Sequence, residues 1–439
     1  MAKLIGWAKT TRWLNNWVRR NPFYYPRALE TFRRTGAMPL EAREAFHHER
    51  LRHVLQRARG SHYGQRVGGT DRIQDWPILE KDALRTSPDE FGIGRNWLSL
   101  AAGTGGTTGS PLSMFRSLVS VVTEQAALDY VVRKKGVNLR SDRVAVLRGD
   151  SIKDASDRAP PFSKLVGDGQ RLLLSSHHLS RASVASYVED LVQFSPKCLM
   201  AYPSSVEALC MHVRDAGLKL NIPVVVTSSE VLKASSWKLV QAVLGADVID
   251  RYGLAERTAF AFAMDAGQYY FLAGYGYVEL QPVRRDDQYE YCDIIGTPFW
   301  NSSMAFVRYR TGDLAMLKLP VDEKTRERVA LGMDPFAGIE GRMSDYLVAP
   351  DGARVIAMNH LPREVKHIIQ MQIVQESLTS VLIRIVPDVG FGPQDEHTIL
   401  GNARQKLPQT MTVIVEVVTQ LERTAAGKTP FIIRREGIG

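Results

Sequence analysis

The stretch KCLMAYPSSVEALCMHVRDAGLKLNIPVVVT, residues 197–227, reads as a strand, a helix and a second strand. Residues 197–201 and 222–227 are largely apolar runs without polar alternation, and residues 204–216 have helical spacing between them. Apolar strands that flank a helix are typical of a parallel sheet covered on both faces. The stretch therefore predicts an α/β fold.

The same alternation continues on both sides of this stretch. Residues 143–147 (RVAVL) and 247–251 (DVIDR) are predicted strands, and residues 234–244 form a predicted helix. After residue 270, short strands with turn residues between them predict an antiparallel or barrel-like part, at 275–282, 290–295 and 305–309. The last part predicts a small α+β unit with a helix at 361–369 and strands at 371–375, 380–386 and 412–418.

Charge divides the chain unevenly. Its 439 residues carry 56 Lys and Arg against 47 Asp and Glu, a formal net charge of +9. Residues 1–59 hold 13 basic and 4 acidic residues, so this segment accounts for the whole +9 and the remainder is neutral. We therefore predict three parts: a basic helical N-terminal segment (1–59), a core domain (60–343) and a small C-terminal domain (344–439). A neutral body argues against nucleic acid as a partner.

The basic N-terminal segment has two interpretations. Its tryptophans and basic residues fit a helix packed on the body, or an interfacial helix that contacts an anionic membrane surface. Three scattered cysteines exclude a disulfide framework and a thiolate zinc site, and they fit a reducing cytosol. We expect a cytoplasmic protein, and the second interpretation adds peripheral contact at the inner face of the membrane.

The glycine-rich stretch AGTGGTTGSP, residues 102–111, is the strongest local motif. Its glycines allow tight turns, and its hydroxyl and backbone N–H groups can hold phosphate oxygens. It is not a Walker A loop, because no Lys follows the last glycine, and it lacks the Rossmann spacing. The candidate nucleotide-binding residues in it are Thr104, Gly105, Gly106, Thr107, Thr108 and Gly109.

Four further motifs follow in order: RYGLAE (251–256), YRTGDL (309–314), GRMSD (341–345) and RTAAGK (423–428). Together with the glycine-rich stretch they resemble the motifs of the adenylate-forming superfamily. Within it the chain resembles the compact phenylacetate–CoA ligase type, and especially the CapK-like proteins associated with capsule and exopolysaccharide synthesis. The resemblance covers nearly the whole chain.

The resemblance implies an α/β fold: a large N-terminal adenylate-forming domain with mixed parallel sheets and a barrel-like part, plus a small mobile α+β C-terminal domain. The small domain would rotate about a hinge at Ser344 and Asp345 between two half-reactions. In this scheme Lys428 bridges the substrate carboxylate and the α-phosphate, while Glu256 holds Mg²⁺.

The resemblance also assigns the nucleotide contacts. Asp313 would accept from the ribose hydroxyls, Tyr252 would lie against the adenine, and Arg342 would contact ribose or phosphate. The same pocket would be lined by Ser229, Glu230, Arg251 and Gly253. The acid would lie against Tyr202, Phe260 and Phe262, for which ordinary core packing is an equal alternative.

Three positions depart from the pattern of the superfamily. Ser110 stands where Lys is common, Ala255 where Ser or Thr is usual, and Ser344 where Asp is common. The first two changes remove contacts to phosphate or metal, which weakens ATP binding without abolishing it if Lys428 and Glu256 function.

We therefore expect ATP- and Mg²⁺-dependent activation of a small carboxylic acid to an acyl-adenylate, followed by transfer to CoA, for acyl modification of a polysaccharide or secondary metabolite. One alternative is transfer to an amine or amino-sugar, which gives an amide. Another is a degenerate adenylation fold that acts as a binding or assembly protein. The oligomeric state stays open, with a homodimer among the possibilities.

Overall fold

The structure of the protein is a computed structural model. It describes residues 17–94, 99–103, 113–148, 152, 159–167, 169–176, 178–340, 347–350, 354–355, 361, 365, 367–404, 407–423, 429–435 and 437–438. The chain divides into two compact units, Met1–Glu340 and Gly341–Gly439.

The first unit contains both helices and strands. Its helices are α1 (Tyr25–Ala37), α2 (Leu40–Ala58), α3 (His62–Arg66), α4 (Lys81–Thr86), α5 (Leu118–Arg133), α6 (Val184–Phe194), α7 (Pro203–Asp215), α8 (Ala234–Leu244) and α9 (Glu323–Ala330). Its strands are β1 (Ser99–Gly103), β2 (Ser113–Ser117), β3 (Val144–Arg148), β4 (Ser163–Val166), β5 (Arg171–Ser175), β6 (Cys198–Ala201), β7 (Val224–Ser228), β8 (Asp247–Gly253), β9 (Phe260–Ala263), β10 (Tyr269–Phe271), β11 (Gly276–Arg285), β12 (Tyr289–Pro298), β13 (Tyr309–Lys318) and β14 (Gly338–Glu340).

The central sheet has the strand order β10-β9-β8-β7-β6-β3-β5-β4. Strands β5, β3, β6, β7 and β8 are parallel to their neighbours within this group, and β4, β9 and β10 add antiparallel edges. All five residues of β7 are buried, as its unbroken apolar run predicts. The expected mixed α/β fold is confirmed.

Side chains of the parallel strands alternate between two apolar cores. Val146, Met200, Val226 and Ile249 pack with α1 and α5, on what we call the α5 face. Their neighbours along the strands pack with α6, α7 and α8 on the opposite side, which we call the α7 face: Ala145, Leu147, Leu199, Ala201, Val225 and Val248. This alternation decides which side chains can meet at the carboxyl edge of the sheet.

A second sheet, β11-β12-β13-β14, is wholly antiparallel and adds to the core on the α7 face. The predicted strand at 305–309 is wrong, because residues 305–308 are irregular and β13 begins at Tyr309. The apolar run at 304–307 is buried in another cluster instead, so its hydrophobicity reports burial and not strand pairing.

The two sheets meet backbone to backbone at Thr258. An added Cβ at Gly276 would lie 2.5 Å from the Thr258 carbonyl oxygen, and one at Gly296 would lie 2.8 Å from the Thr258 Cβ. Side chains cannot occupy these positions without displacing backbone. Glycine at these two positions therefore allows β11 and β12 to lie close to the segment just after Glu256.

The second unit holds β15 (Leu347–Val348), β16 (Arg354–Val355), β17 (Ile368–Ser377), β18 (Ser380–Pro387), α10 (Pro393–Arg404), β19 (Thr412–Val417) and β20 (Ile432–Arg434). Its larger sheet has the order β19-β18-β17-β20, with α10 packed on it. The three predicted strands are confirmed. The predicted helix at 361–369 is wrong in its last part, because Ile368 and Ile369 begin β17.

Basic residues of the described N-terminal segment make specific internal contacts. Arg20 forms a bidentate pair with Asp129 at 2.6 and 2.8 Å. Arg43 is buried and donates to the carbonyls of Leu331 and Gly332 at 3.1 and 2.9 Å, and burial lowers its pKa. Arg50 and Arg57 both donate to the Phe299 carbonyl at 3.3 Å. Four arginines of this segment therefore bind a carboxylate or backbone carbonyls of the first unit.

None of the described helices has the length and apolar character that a membrane crossing requires.

His47 on α2 is buried with its Nε2 accepting the Gly274 N–H at 3.2 Å. Burial, then the charge of Arg43, lowers its pKa from 6.5 to about 3. The unfolded chain binds this proton below about pH 6.5, so stability is lost as pH falls from there towards 3. We expect His47→Gln to flatten the decline of melting temperature between pH 7 and pH 4.5, measured by circular dichroism.

The matched control for this measurement is His53→Gln, at an exposed position of the same helix. It should keep the wild-type pH dependence. Identical slopes for wild type and His47→Gln would contradict the assignment.

Candidate active site

Strand β8 carries the motif residues at the carboxyl edge of the central sheet. Ile249 lies on the α5 face and Val248 on the α7 face. Because side chains alternate along a strand, Arg251 lies on the α5 face and Tyr252 on the α7 face. The register agrees, because Arg251 is paired with Phe262 and Tyr252 with Ala261 across β9. The motif RYGLAE therefore points its first two side chains to opposite faces of the sheet.

Tyr252 and Asp313 are joined on the α7 face. The Tyr252 hydroxyl donates to Asp313 Oδ2 at 2.8 Å, which links β8 to β13. Burial, then the negative charge of Asp313, raises the pKa of Tyr252 well above its usual value, so the hydroxyl stays a donor. Thr311 Oγ1 accepts the Asp313 N–H at 3.1 Å and fixes the turn. The pairing brings together two residues expected at the nucleotide.

Glu256 is buried, at 2% exposure, and its carboxylate contacts two side chains. Tyr309 donates its hydroxyl to Oε1 at 2.7 Å, and Lys81 Nζ lies 3.9 Å from the same oxygen. Both of these contacts are made to Oε1. A single hard oxygen with retained water and phosphate oxygens is a donor set that Mg²⁺ accepts. No cluster of three or more His, Cys, Asp or Glu exists among the described residues.

The α5 face carries a network that the motifs do not predict. Arg251 Nη1 donates to Glu124 Oε1 at 2.7 Å, and the Tyr275 hydroxyl donates to Glu124 Oε2. Burial opposes ionisation of Glu124, but the charges of Arg251 and Arg257 with these hydrogen bonds outweigh it and lower its pKa. Glu124 is therefore an anion held between a cation and a phenol.

Two more arginines join this network. Arg257 follows Glu256 with a left-handed φ of 59°, and its Nη1 reaches Ser120 Oγ at 3.4 Å. Arg116 on β2 donates from Nε and Nη2 to the Ala255 carbonyl at 2.8 and 2.5 Å. Burial, then the charge of Arg257, lowers the pKa of Arg116 to about 10. We call Arg116, Arg251 and Arg257 the arginine cluster.

The proposed acyl residues lie on or near the same face. Phe260 is buried, with the Arg251 guanidinium 5.6 Å above its ring and the Tyr275 ring at 5.3 Å. Phe262 packs at the edge of the same core, and Tyr202 lies 5.8 Å from the Arg148 guanidinium. The aromatic side chains expected to line the acyl pocket therefore lie beside arginines.

The remaining described candidates have local partners. Glu230 Oε2 accepts the Ser204 N–H at 2.9 Å, so it caps the first turn of α7. Ser229 has a left-handed φ of 76°, directly after β7. Gly253 is exposed, and an added Cβ there would lie 3.7 Å from Arg251 Nη1 and 3.9 Å from Glu124 Oε1.

Several predicted site residues lie outside the described residues. They are Thr104, Gly105, Gly106, Thr107, Thr108, Gly109, Ser110, Arg342, Ser344, Asp345 and Lys428.

Comparison with known proteins relates both units to characterised sequences and structures. Residues 347–435 match the CapK C-terminal domain family. The chain is 22% identical to "Protein CapK" of Staphylococcus aureus over 373 residues, which cover 82% of this chain and 80% of that protein. It is 24% identical to "Indoleacetate--lysine synthetase" of Pseudomonas savastanoi over 253 residues, 56% of this chain and 61% of that protein.

The fold resembles that of a solved 2-hydroxyisobutyryl-CoA ligase. The structure of that protein with 2-HIB-AMP in the postadenylation state has a TM-score of 0.63 at 18% identity, with 91% of both chains covered. Its complex with R3-HIB-AMP gives a TM-score of 0.62 with the same coverage. At this identity the likeness establishes the fold. The chain therefore carries a CapK C-terminal domain at residues 347–435 and has the fold of this ligase.

Proposed function

We propose that the protein activates a small carboxylic acid with ATP to an acyl-adenylate and pyrophosphate, then passes the acyl group to CoA. The observation that carries this proposal is the hydrogen bond between Tyr252 and Asp313, formed on the α7 face beside buried Glu256. The similarity to a ligase solved with an acyl-AMP supports the same chemistry.

In this proposal Asp313 accepts the ribose hydroxyls and the Tyr252 ring lies against the adenine. The other nucleotide contacts are the stretch 104–109, Ser229, Glu230, Gly253 and Arg342. Arg251 was predicted with them, but it lies on the α5 face, opposite Tyr252. The Tyr252 hydroxyl holds one carboxylate oxygen of Asp313 in place, which orients the other oxygen before the nucleotide arrives.

Adenylation brings a carboxylate against the α-phosphate, so two anions must be held together. Lys428 would contact both, and Glu256 Oε2 would hold Mg²⁺, which supplies positive charge to the phosphate oxygens. Tyr309 and Lys81 hold the Glu256 carboxylate in its buried position. The second unit would then turn about Ser344 and Asp345 to admit the thiol.

Amide formation is the second candidate. The 24% identity to an indoleacetate–lysine synthetase favours it, since that protein's name describes joining an acid to an amine. Activation is the same in both reactions, and the acceptor alone differs. A degenerate adenylation fold that acts as a binding or assembly protein is the remaining alternative.

We also propose a cytoplasmic protein whose residues 1–16 contact the membrane where a polysaccharide pathway consumes its product. Support comes from Trp17, which is 48% exposed next to this basic segment. Size measurement in solution would determine the oligomeric state and would show whether the protein is a homodimer.

ATP–pyrophosphate exchange with a panel of aryl and alkyl acids tests activation. We expect exchange with at least one acid, and Lys428→Ala should reduce it about a hundredfold or more, because the bridging charge is lost. Lys324→Ala, an exposed lysine on α9, should leave the rate unchanged. Failure of every acid would favour the degenerate alternative. Mass spectrometry after adding CoA or amines would separate the two acceptors.

Asp313→Asn should raise the KM for ATP by roughly ten- to a hundredfold, since a charge-assisted hydrogen bond contributes about 1.5–3 kcal/mol. The maximal exchange rate should change less, because the reacting atoms are elsewhere. Asp287→Asn, in an exposed turn, is the matched control. An unchanged KM for ATP in Asp313→Asn would remove its ribose role.

Deleting residues 1–16 should weaken cosedimentation with vesicles of anionic phosphatidylglycerol, and added salt should weaken binding of the full chain. The deletion stops before Arg20, because that residue pairs with buried Asp129. Neutral phosphatidylcholine vesicles are the control. Equal binding of both proteins would contradict membrane contact by this segment.

A further inference from the structure

The α5 face presents a row of polar groups at the carboxyl edge of neighbouring strands. Arg148 on β3 donates to Ser228 Oγ on β7 at 3.2 Å, and Ser228 is beside Arg251 in the parallel register. Each of these side chains lies two residues after a buried residue of the same strand and on the same face; the buried residues are Val146, Val226 and Ile249. The sheet core on this face thus ends in an arginine-rich edge.

The first turns of α5 face the same edge. Ser120 and Glu124 are one helical turn apart, and they receive Arg257 and Arg251 respectively. Arg116 comes just before α5, whose first turn is capped by Ser117. A helix N-terminus adds positive potential to that of the guanidinium groups.

The formal charges of this network do not balance. Five cations face Glu124 and Glu256, an excess of three positive charges: Arg19, Arg116, Arg251, Arg257 and Lys81. Arg251 contacts a carboxylate, whereas Arg116 and Arg257 contact a carbonyl and a hydroxyl, which are neutral acceptors. Arg251 Nε is a buried donor without a hydrogen-bond partner among the described residues.

Converging guanidinium groups with surplus donors suit a carboxylate or a phosphate, which accept two parallel N–H bonds. Like charges held together are costly unless an anion joins them. Arg251 is 16% exposed and Glu124 22%, so the cluster is open to a ligand. Exposed Gly253 places no side chain over the Arg251–Glu124 pair.

Two anions could come from the proposed reaction: the triphosphate of ATP, or a second anionic group on the acid. The expected adenosine contacts, Tyr252 and Asp313, lie on the α7 face, while Arg251 lies on the α5 face against Phe260. The acid side of the site is therefore the better match.

Resting on the proposed function, we propose that the arginine cluster is a specificity subsite that binds a second anionic group, carboxylate or phosphate, at the far end of the acid. The acid activated would then be a diacid or a phosphorylated acid, with one carboxylate at the reacting end. Glu124 and Tyr275 hold Arg251 in position for it.

The test compares matched acids in pyrophosphate exchange: phenylacetate with 4-carboxyphenylacetate, and hexanoate with adipate. The wild type should prefer a diacid by about tenfold or more in kcat/KM. Arg257→Asn should lose that preference and leave the monoacid within twofold, since Asn tolerates a left-handed φ. Arg257→Lys, which keeps the charge, should retain most of it.

A second variant tests whether a loss of diacid preference is caused by misfolding. Glu124→Gln with Arg251→Gln replaces the ion pair by neutral groups of similar length, and it should also lose the diacid preference while keeping the wild-type melting temperature within a few degrees. A monoacid preference in the wild type would overturn the inference. So would an equal rise in the KM for ATP with every acid in Arg257→Asn, because that result assigns the cluster to the triphosphate.

Thermal protection by the free acids separates this inference from the proposed function. Diacids should raise the melting temperature of the wild type more than that of Arg257→Asn, without ATP. Protection without exchange would overturn the proposed activation and keep the subsite. Exchange without any diacid protection or preference would overturn the subsite and keep the activation.

Discussion

The alternation of side chains along β8 is the constraint on which the site depends. One strand delivers Arg251 to the α5 face and Tyr252 to the α7 face, and its neighbours β7 and β9 lock that register. A slip of one residue would exchange the two faces and place a guanidinium beside Asp313. The carboxyl end of β8 therefore contributes to two chemically different surfaces, one on each face of the sheet, and both depend on the same register.

Part of the excess positive charge is used inside the first unit. The sequence concentrates it in residues 1–59, as a basic head on a neutral body. In the structure Arg20, Arg43, Arg50 and Arg57 bind a carboxylate or backbone carbonyls of the first unit. Net charge counts formal charges, whereas the field outside the protein depends on which of them remain solvated.

Sequence patterns predicted the parallel strands and the strands of the second unit, because unbroken apolar runs report burial on both faces. They failed where an apolar run was buried without pairing, at 305–308, and where Ile368 and Ile369 begin β17. Motif order located Tyr252, Glu256 and Asp313, whose contacts the structure shows. The motifs did not indicate Glu124, because only tertiary packing brings residues 116, 124 and 257 together.

The glycine contacts at Thr258 separate two kinds of change that such an enzyme could undergo. Gly276 on β11 and Gly296 on β12 let their sheet approach the backbone of Thr258, in the loop that carries Glu256, and Asp313 lies on β13 of that same sheet. Side chains such as Arg257 or Phe262 take no part in it. Under the proposed function, substitution among these side chains would change the acid that is bound, while the backbone contacts near Glu256 would stay the same.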